Sequence, residues 1–194
     1  MQKRYYILNK PFGTLCQFTG ESGDALLGDL YPFPKDVYSV GRLDKDSEGL
    51  LLLTNDNQFK TKVLDPSQKT TKTYYVQVDG AITENAIKTL INGSIIIKHN
   101  KKAHKVKPAT CAELHNFSIP ERKPPVRKRA TIPTSWITLE ITEGKNRQVR
   151  KMTAAVNFPT LRLIRMKIGK LSLENLLPGE VKEIDLKTAL KALE

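Results

Sequence analysis

The stretch Gly41-Arg42-Leu43-Asp44-Lys45-Asp46-Ser47-Glu48-Gly49-Leu50-Leu51-Leu52-Leu53-Thr54-Asn55-Asp56 sets a carboxylate-rich turn directly against four consecutive leucines. An apolar run this short predicts a strand buried on both faces, over Gly49–Thr54. Working outward, Arg4–Asn9 reads as a strand broken by Lys10-Pro11-Phe12-Gly13. Val37–Val40, Thr73–Val78, Ile95–Ile97, Ala109–Leu114, Trp136–Ile141, Leu161–Met166 and Val181–Leu186 also read as strands. Helices are expected at Leu26–Leu30, Phe59–Leu64, from a Thr83 cap through Ile91, at Asn146–Val156 and at Lys187–Glu194. Strands outnumber helices and do not alternate with them strictly. The expected class is therefore α+β, with a mixed, mostly antiparallel central sheet flanked by helices and loops.

The 194 residues suit one domain over 1–194, or two small subdomains. Lys and Arg number 32 against 20 Asp and Glu, a net charge of +12. Ten of the basic residues lie between Lys98 and Arg129, opposed only by Glu113 and Glu121, so this segment holds +8 of the net charge. It is also Pro-rich, and we read 98–133 as a basic, largely loop-like insertion and the best candidate boundary. Such a charge distribution points to a polyanion partner, nucleic acid before membrane, since the basic stretches lack an amphipathic apolar face. No apolar run is long enough to span a bilayer, and Met1–Asn9 carries no secretion signal. Cys16 and Cys111 make no disulfide framework. A cytoplasmic monomer is expected.

Taken alone, the turn at 41–49 reads first as a charged surface loop. It is not a calcium loop: Asp44, Asp46 and Glu48 fit the early positions, but Asn55 stands where a bidentate Glu belongs. Gly144-Lys145 lacks the remainder of a phosphate-binding loop. His99, His104 and His115 have no zinc spacing and are expected at the surface or in loops. No metal and no cofactor is expected.

The 41–56 stretch resembles the central GRLDxx(S/T)xGLLLLTND motif of the RsuA-type pseudouridine synthases. Three further segments resemble that family's motifs in the same order. They are Lys10-Pro11-Phe12-Gly13, Lys72-Thr73-Tyr74, and Glu143-Gly144-Lys145-Asn146-Arg147-Gln148-Val149-Arg150-Lys151-Met152, with Lys151 where Arg is common. The resemblance implies the pseudouridine synthase catalytic fold. The KPxG segment already starts at residue 10, so the S4 RNA-binding domain found in many members is not expected. That feature and Pro124–Trp136 point to the branch of the family that modifies one uridine in 23S rRNA.

The resemblance also assigns roles. Asp44 becomes the essential carboxylate, ionised at neutral pH and suited to attack carbon or to stabilise charge at C1′. Asp46 and Asp56 are its rivals. Arg150 becomes the basic partner that keeps Asp44 ionised. Tyr74 becomes the platform on which the uracil stacks, with Tyr75 left for the core, and Val149 an apolar wall. A uridine in folded RNA must leave its stack to react. Arg42 is assigned to fill the vacated place or hold a flanking phosphate, against the alternative of an ion pair within its own loop. Lys145, Arg147, Lys128 and Arg129 are expected to contact RNA, while Lys10, Pro11 and Gly13 shape the site edge. A synthase acting on another RNA such as tRNA, and a non-catalytic rRNA-binding assembly factor, are the alternatives.

Overall fold

A computed structural model describes residues 2–127, 129 and 131–194. Its strands begin with β1 (Tyr5–Lys10), β2 (Thr14–Leu15), β3 (Ala25–Leu26), β4 (Tyr38–Ser39), β5 (Glu48–Thr54) and β6 (Lys72–Asp79). They continue with β7 (Ile96–His99), β8 (Lys102–Lys105), β9 (Thr110–Glu113), β10 (Thr134–Ile141), β11 (Thr160–Ile168), β12 (Leu171–Ser172) and β13 (Val181–Ile184). The α-helices are α1 (Asn57–Leu64), α2 (Glu84–Ile91), α3 (Gln148–Ala155) and α4 (Leu186–Leu190). The fold is α+β with antiparallel pairing dominant, as the sequence predicts. The chain divides into two compact units, one of residues 1–70 and 164–194 and one of residues 71–163. The 98–133 segment, read as the best boundary, lies inside the second unit.

In the first unit the strand order is β13-β1-β5-β11. Strands β1 and β5 run antiparallel, from Tyr5 opposite Thr54 to Lys10 opposite Gly49. All six residues of β1 and all seven of β5 are buried. The four leucines are divided between two cores because successive side chains point to opposite faces. Leu50 and Leu52 join Tyr5, Ile7, Phe59, Val63 and Ala189. Leu51 and Leu53 join Tyr6, Leu8, Leu27 and Val37, with Phe18, Tyr31 and Phe33 packed behind. Each of these fully buried leucines contributes about 1.5–3 kcal/mol of transfer free energy.

Strand β5 passes into α1 through a polar hinge that explains Thr54-Asn55-Asp56. Asp56 caps the helix, accepting from the N–H groups of Gln58 (3.1 Å) and Phe59 (3.2 Å). The same carboxylate accepts the Tyr5 hydroxyl at 2.8 Å and pairs with Lys3 at 2.9 Å. Asn55 accepts from the Arg4 N–H and donates to Asp36, both at 2.8 Å.

In the second unit β6, β10 and β9 form an antiparallel ladder, with Lys72 opposite Ile141 and Leu139 opposite Cys111. One face carries Tyr74, Val76, Val78, Ile137, Leu139 and Cys111, packed on Leu90 of α2 and Val149 and Met152 of α3. The Thr83 side chain caps α2 at 3.3 Å, as expected, while Ile91 at its end is exposed.

Beyond the short strands β2, β3 and β12, which the sequence does not predict, these departures bear on the site. Strand β8 completes a hairpin with β7 inside what was read largely as loop, turned by Asn100 and Lys101 at φ 48° and 63°. Helix α3 begins at Gln148 rather than Asn146, because Arg147 adopts φ 53°, ψ 34°. Tyr75, expected in the core, lies on the outer face of β6, 5.9 Å edge-on from Phe117; Tyr74 is the buried tyrosine. The alternation Tyr74-Val76-Val78 decides this, since those three share one face of the strand.

Candidate active site

Arg42, Asp44 and Asp46 belong to the first unit; Tyr74, Arg129, Lys145, Arg147, Val149 and Arg150 belong to the second. Lys128 lies outside the described residues.

In the first unit Asp44 is half-buried in a turn closed by the Ser47 N–H on its carbonyl at 3.0 Å. Both of its neighbours are pinned through their backbones to the segment after β1. The Leu43 N–H donates to Cys16 Sγ at 3.3 Å. The Lys45 carbonyl accepts the Gly13 N–H at 2.8 Å. Beneath that turn Lys10 is fully buried, its ammonium donating to the carbonyls of Pro11 (2.9 Å), Thr14 (2.7 Å) and, at 3.5 Å, Lys45. Burial pushes the Lys10 ammonium down from 10.5 to about 8, although Cys16 and the carboxylates of Glu48, Asp46 and Asp44 pull the other way. Lys10 thus holds the edge of the Asp44 turn in place, the structural role expected of the KPFG segment.

Among the two rival carboxylates, Asp56 is committed to the α1 cap. Burial raises its pKa, but Lys3, the Phe59 N–H and the Tyr5 hydroxyl outweigh this and hold it down to about 2. Arg42 is exposed and makes no ion pair among the described residues, so the alternative of a pair within its own loop is not realised. The glycine after the turn has a packing reason. Gly49 has φ 102°, and a Cβ there would lie 2.3 Å from the Arg165 carbonyl oxygen.

In the second unit α3 carries Val149 and Arg150. Val149 is buried in the core beside Met152, and Tyr74 is 8% exposed in the same core. Arg150 is half-buried, with one guanidinium nitrogen 3.5 Å from the Thr160 carbonyl. Lys145 is half-buried and Arg147 exposed. Arg129 is solvent-facing but pairs with Asp79 at 3.2 Å.

The sequence reading passed over Glu143, Gln148 and His104. One Glu143 oxygen accepts from the Gln148 amide (2.7 Å) and the Lys107 N–H (2.9 Å); the other meets His104 Nε2 at 3.0 Å. Burial acts to raise the Glu143 pKa, but these three partners outweigh it and lower it. Gln148 in turn accepts the Lys145 N–H at 2.9 Å. Only the Glu-x4-Gln spacing inside the last motif hints at the contact; His104 on β8 and Lys107 just after it carry no local sequence signal for it. His99 and His104 accordingly sit half-buried in the hairpin, rings 6.3 Å apart, while His115 is exposed as expected.

The exposed cations cluster on that hairpin. Lys98 and Lys105 lie on its outward face with Ile96 and Ala103, and Lys101 and Lys102 at its tip. The following segment folds back on the sheet: Phe117 packs on Tyr75 and Trp136, and the Pro120 carbonyl accepts from Arg162 at 2.9 Å. Among the described residues no helix is long and apolar enough to cross a membrane.

Residues 4–155 match the family model described as RNA pseudouridylate synthase. The chain is 47% identical over 185 residues to the ribosomal large subunit pseudouridine synthase E of Vibrio vulnificus, covering 95% of this chain and 76% of that protein. It is 44% identical to the protein of the same name from Xanthomonas campestris, covering 90% and 91%. A crystal structure of a pseudouridylate synthase superposes with a TM-score of 0.79 at 28% identity, covering 98% of this chain and 74% of that one.

Proposed function

We propose that this chain, which belongs to the RNA pseudouridylate synthase family and is an isomerase, converts a specific uridine of large-subunit (23S) rRNA to pseudouridine. The choice of RNA is supported by the two bacterial relatives, each named for the ribosomal large subunit.

The reaction breaks the N1–C1′ bond, turns the uracil and joins C5 to C1′. It neither oxidises nor adds water, so no cofactor is invoked. Asp44 is the carboxylate that attacks or stabilises the reacting carbon, and Arg150 supplies the guanidinium. Tyr74 offers the aromatic surface for the base, with Val149 behind it in the same core. Arg42 holds the place or the phosphate that the extruded nucleotide leaves. Lys145, Arg147, Arg129 and Lys128 contact the RNA, and the hairpin lysines dock it through phosphates. The protein acts as a cytoplasmic monomer.

The observation that carries this reading is the placement of Asp44. Its side chain stands in a polar turn whose backbone is hydrogen-bonded on both sides to a turn anchored by a buried ammonium. Such a scaffold fixes a reactive carboxylate in advance. The test is site-resolved pseudouridine detection after incubation with naked 23S rRNA. Asp44→Asn is expected to abolish the product while RNA affinity stays within about threefold. Retained product removes Asp44 from the reaction, and product found in tRNA instead transfers the substrate.

A further inference from the structure

The hairpin and the start of α3 are bound together at three chain positions, and these ties flank the proposed catalytic arginine. His104 on β8 and the Lys107 N–H just after it both reach Glu143. The Lys151 ammonium donates to the Lys98 carbonyl on β7 at 2.8 Å. Gln148, held by Glu143, and Lys151, held by Lys98, stand on either side of Arg150 in the helix.

The N-terminus of α3 needs this support. Its N-cap, Arg147, makes no side-chain capping hydrogen bond and adopts a left-handed conformation. The first helical residue is held instead through its side chain: the Gln148 amide donates to Glu143, and its oxygen accepts the Lys145 N–H. The Glu143 side chain is 8% exposed, and its oxygens receive three donors, two of them from the hairpin side.

We infer that Glu143 is a positioning residue, joining the basic hairpin to the first turn of α3 so that seating RNA on the hairpin sets the place of Arg150. The inference rests on the reading of Arg150 as the reaction's guanidinium and of the hairpin as an RNA contact. Glu143 touches no substrate; it acts through Gln148. A misplaced catalytic group costs rate rather than affinity, whereas a lost phosphate contact costs affinity.

The test uses the full chain with 23S rRNA transcript, comparing kcat and KM for Glu143→Ala, Glu143→Gln and Arg150→Ala. Glu143→Ala is expected to lower kcat about 10- to 100-fold with KM within about threefold. Glu143→Gln keeps an oxygen for Lys107 and Gln148, and its amide faces the His104 ring. It is expected to recover kcat to within about fivefold of the parent. A parental kcat in Glu143→Ala, a loss confined to KM, or a glutamine variant as slow as the alanine one overturns the inference alone. A parental kcat in Arg150→Ala overturns the underlying reading and the inference with it. If circular dichroism shows Glu143→Ala unfolded, Lys151→Met, which removes the tie to Lys98, is expected to show the same kcat-only loss, and a parental kcat there overturns the inference.

Discussion

Replacing Gly49 with alanine puts a methyl group where the first unit has no space for one. The new Cβ would lie 2.3 Å from the Arg165 carbonyl oxygen, 2.6 Å from its nitrogen and 3.0 Å from its carbonyl carbon. These are backbone atoms of β11, paired with Gly49 in parallel register, so no rotamer change relieves the contact. Two penalties add. The positive φ of 102° costs an L-residue about 1–2 kcal/mol, and forced separation of a packed strand pair costs about 1–3 kcal/mol. The expected loss is about 2–5 kcal/mol, a large share of the 5–15 kcal/mol typical of a domain. Urea unfolding followed by far-ultraviolet circular dichroism measures it. Two companion variants separate the penalties. Gly13→Ala has φ 84° but no atom within 4 Å, so only the conformational cost of about 1–2 kcal/mol is expected. Gly144→Ala has neither a positive φ nor a neighbour within 4 Å and is expected to shift stability by under about 0.5 kcal/mol. A Gly49→Ala loss below about 1 kcal/mol, or one no larger than that of Gly13→Ala, refutes the steric argument.

Lys10 gives stability a pH dependence of known sign. Its folded value is about 8 and its ordinary value 10.5, so between these the unfolded chain binds more protons than the folded one and stability rises with pH. The gap between the parent and Lys10→Met is expected to widen in the parent's favour from pH 8 to 10.5, by up to about 3 kcal/mol, in urea titrations across that range. Asp56→Ala removes the α1 cap together with the contacts to Tyr5 and Lys3 and is expected to cost about 2 kcal/mol by the same assay. Lys101→Glu with Lys102→Glu, at the exposed hairpin tip, is expected to raise KM for rRNA. It should also flatten the log–log salt dependence of binding by about 1.5, measured by filter binding from 50 to 200 mM salt.

Much of the fold was legible because hydrophobic pattern and burial agree. The four leucines of β5 announced a strand covered on both faces, and they are shared between two cores. The Tyr74-Val76-Val78 alternation is equally readable and places Tyr75 on the opposite face, against the core role given to it. The hairpin was not legible, since Lys102-Ala103-His104-Lys105 has no strand-like apolar alternation. Its strand is held by pairing to β7 and by contacts to Glu143 from residues far along the chain, and local sequence does not encode those.

The same limit explains why the central motif divides so unevenly between scaffold and chemistry. Gly49 is there because β11 crosses it, the leucines because two cores meet, and Asp56 because α1 needs a cap. A carboxylate at 56 and one at 44 look alike in sequence. They differ in what their surroundings ask of them. Asp56 turns both oxygens inward to backbone N–H groups, a hydroxyl and an ammonium, and its pKa falls to about 2. At Asp44 the anchoring is made by the neighbours' backbones, through Leu43 to Cys16 and Lys45 to Gly13, while the aspartate itself stays half-buried. The backbone on both sides of position 44 is thus fixed by the scaffold, which sets where the Asp44 side chain starts. The reasoning extends to α3, where the residues on both sides of Arg150 take the anchoring contacts. Asp44 and Arg150 thus each stand in a stretch whose flanking residues make anchoring contacts, a pattern visible only once the hydrogen bonds are known.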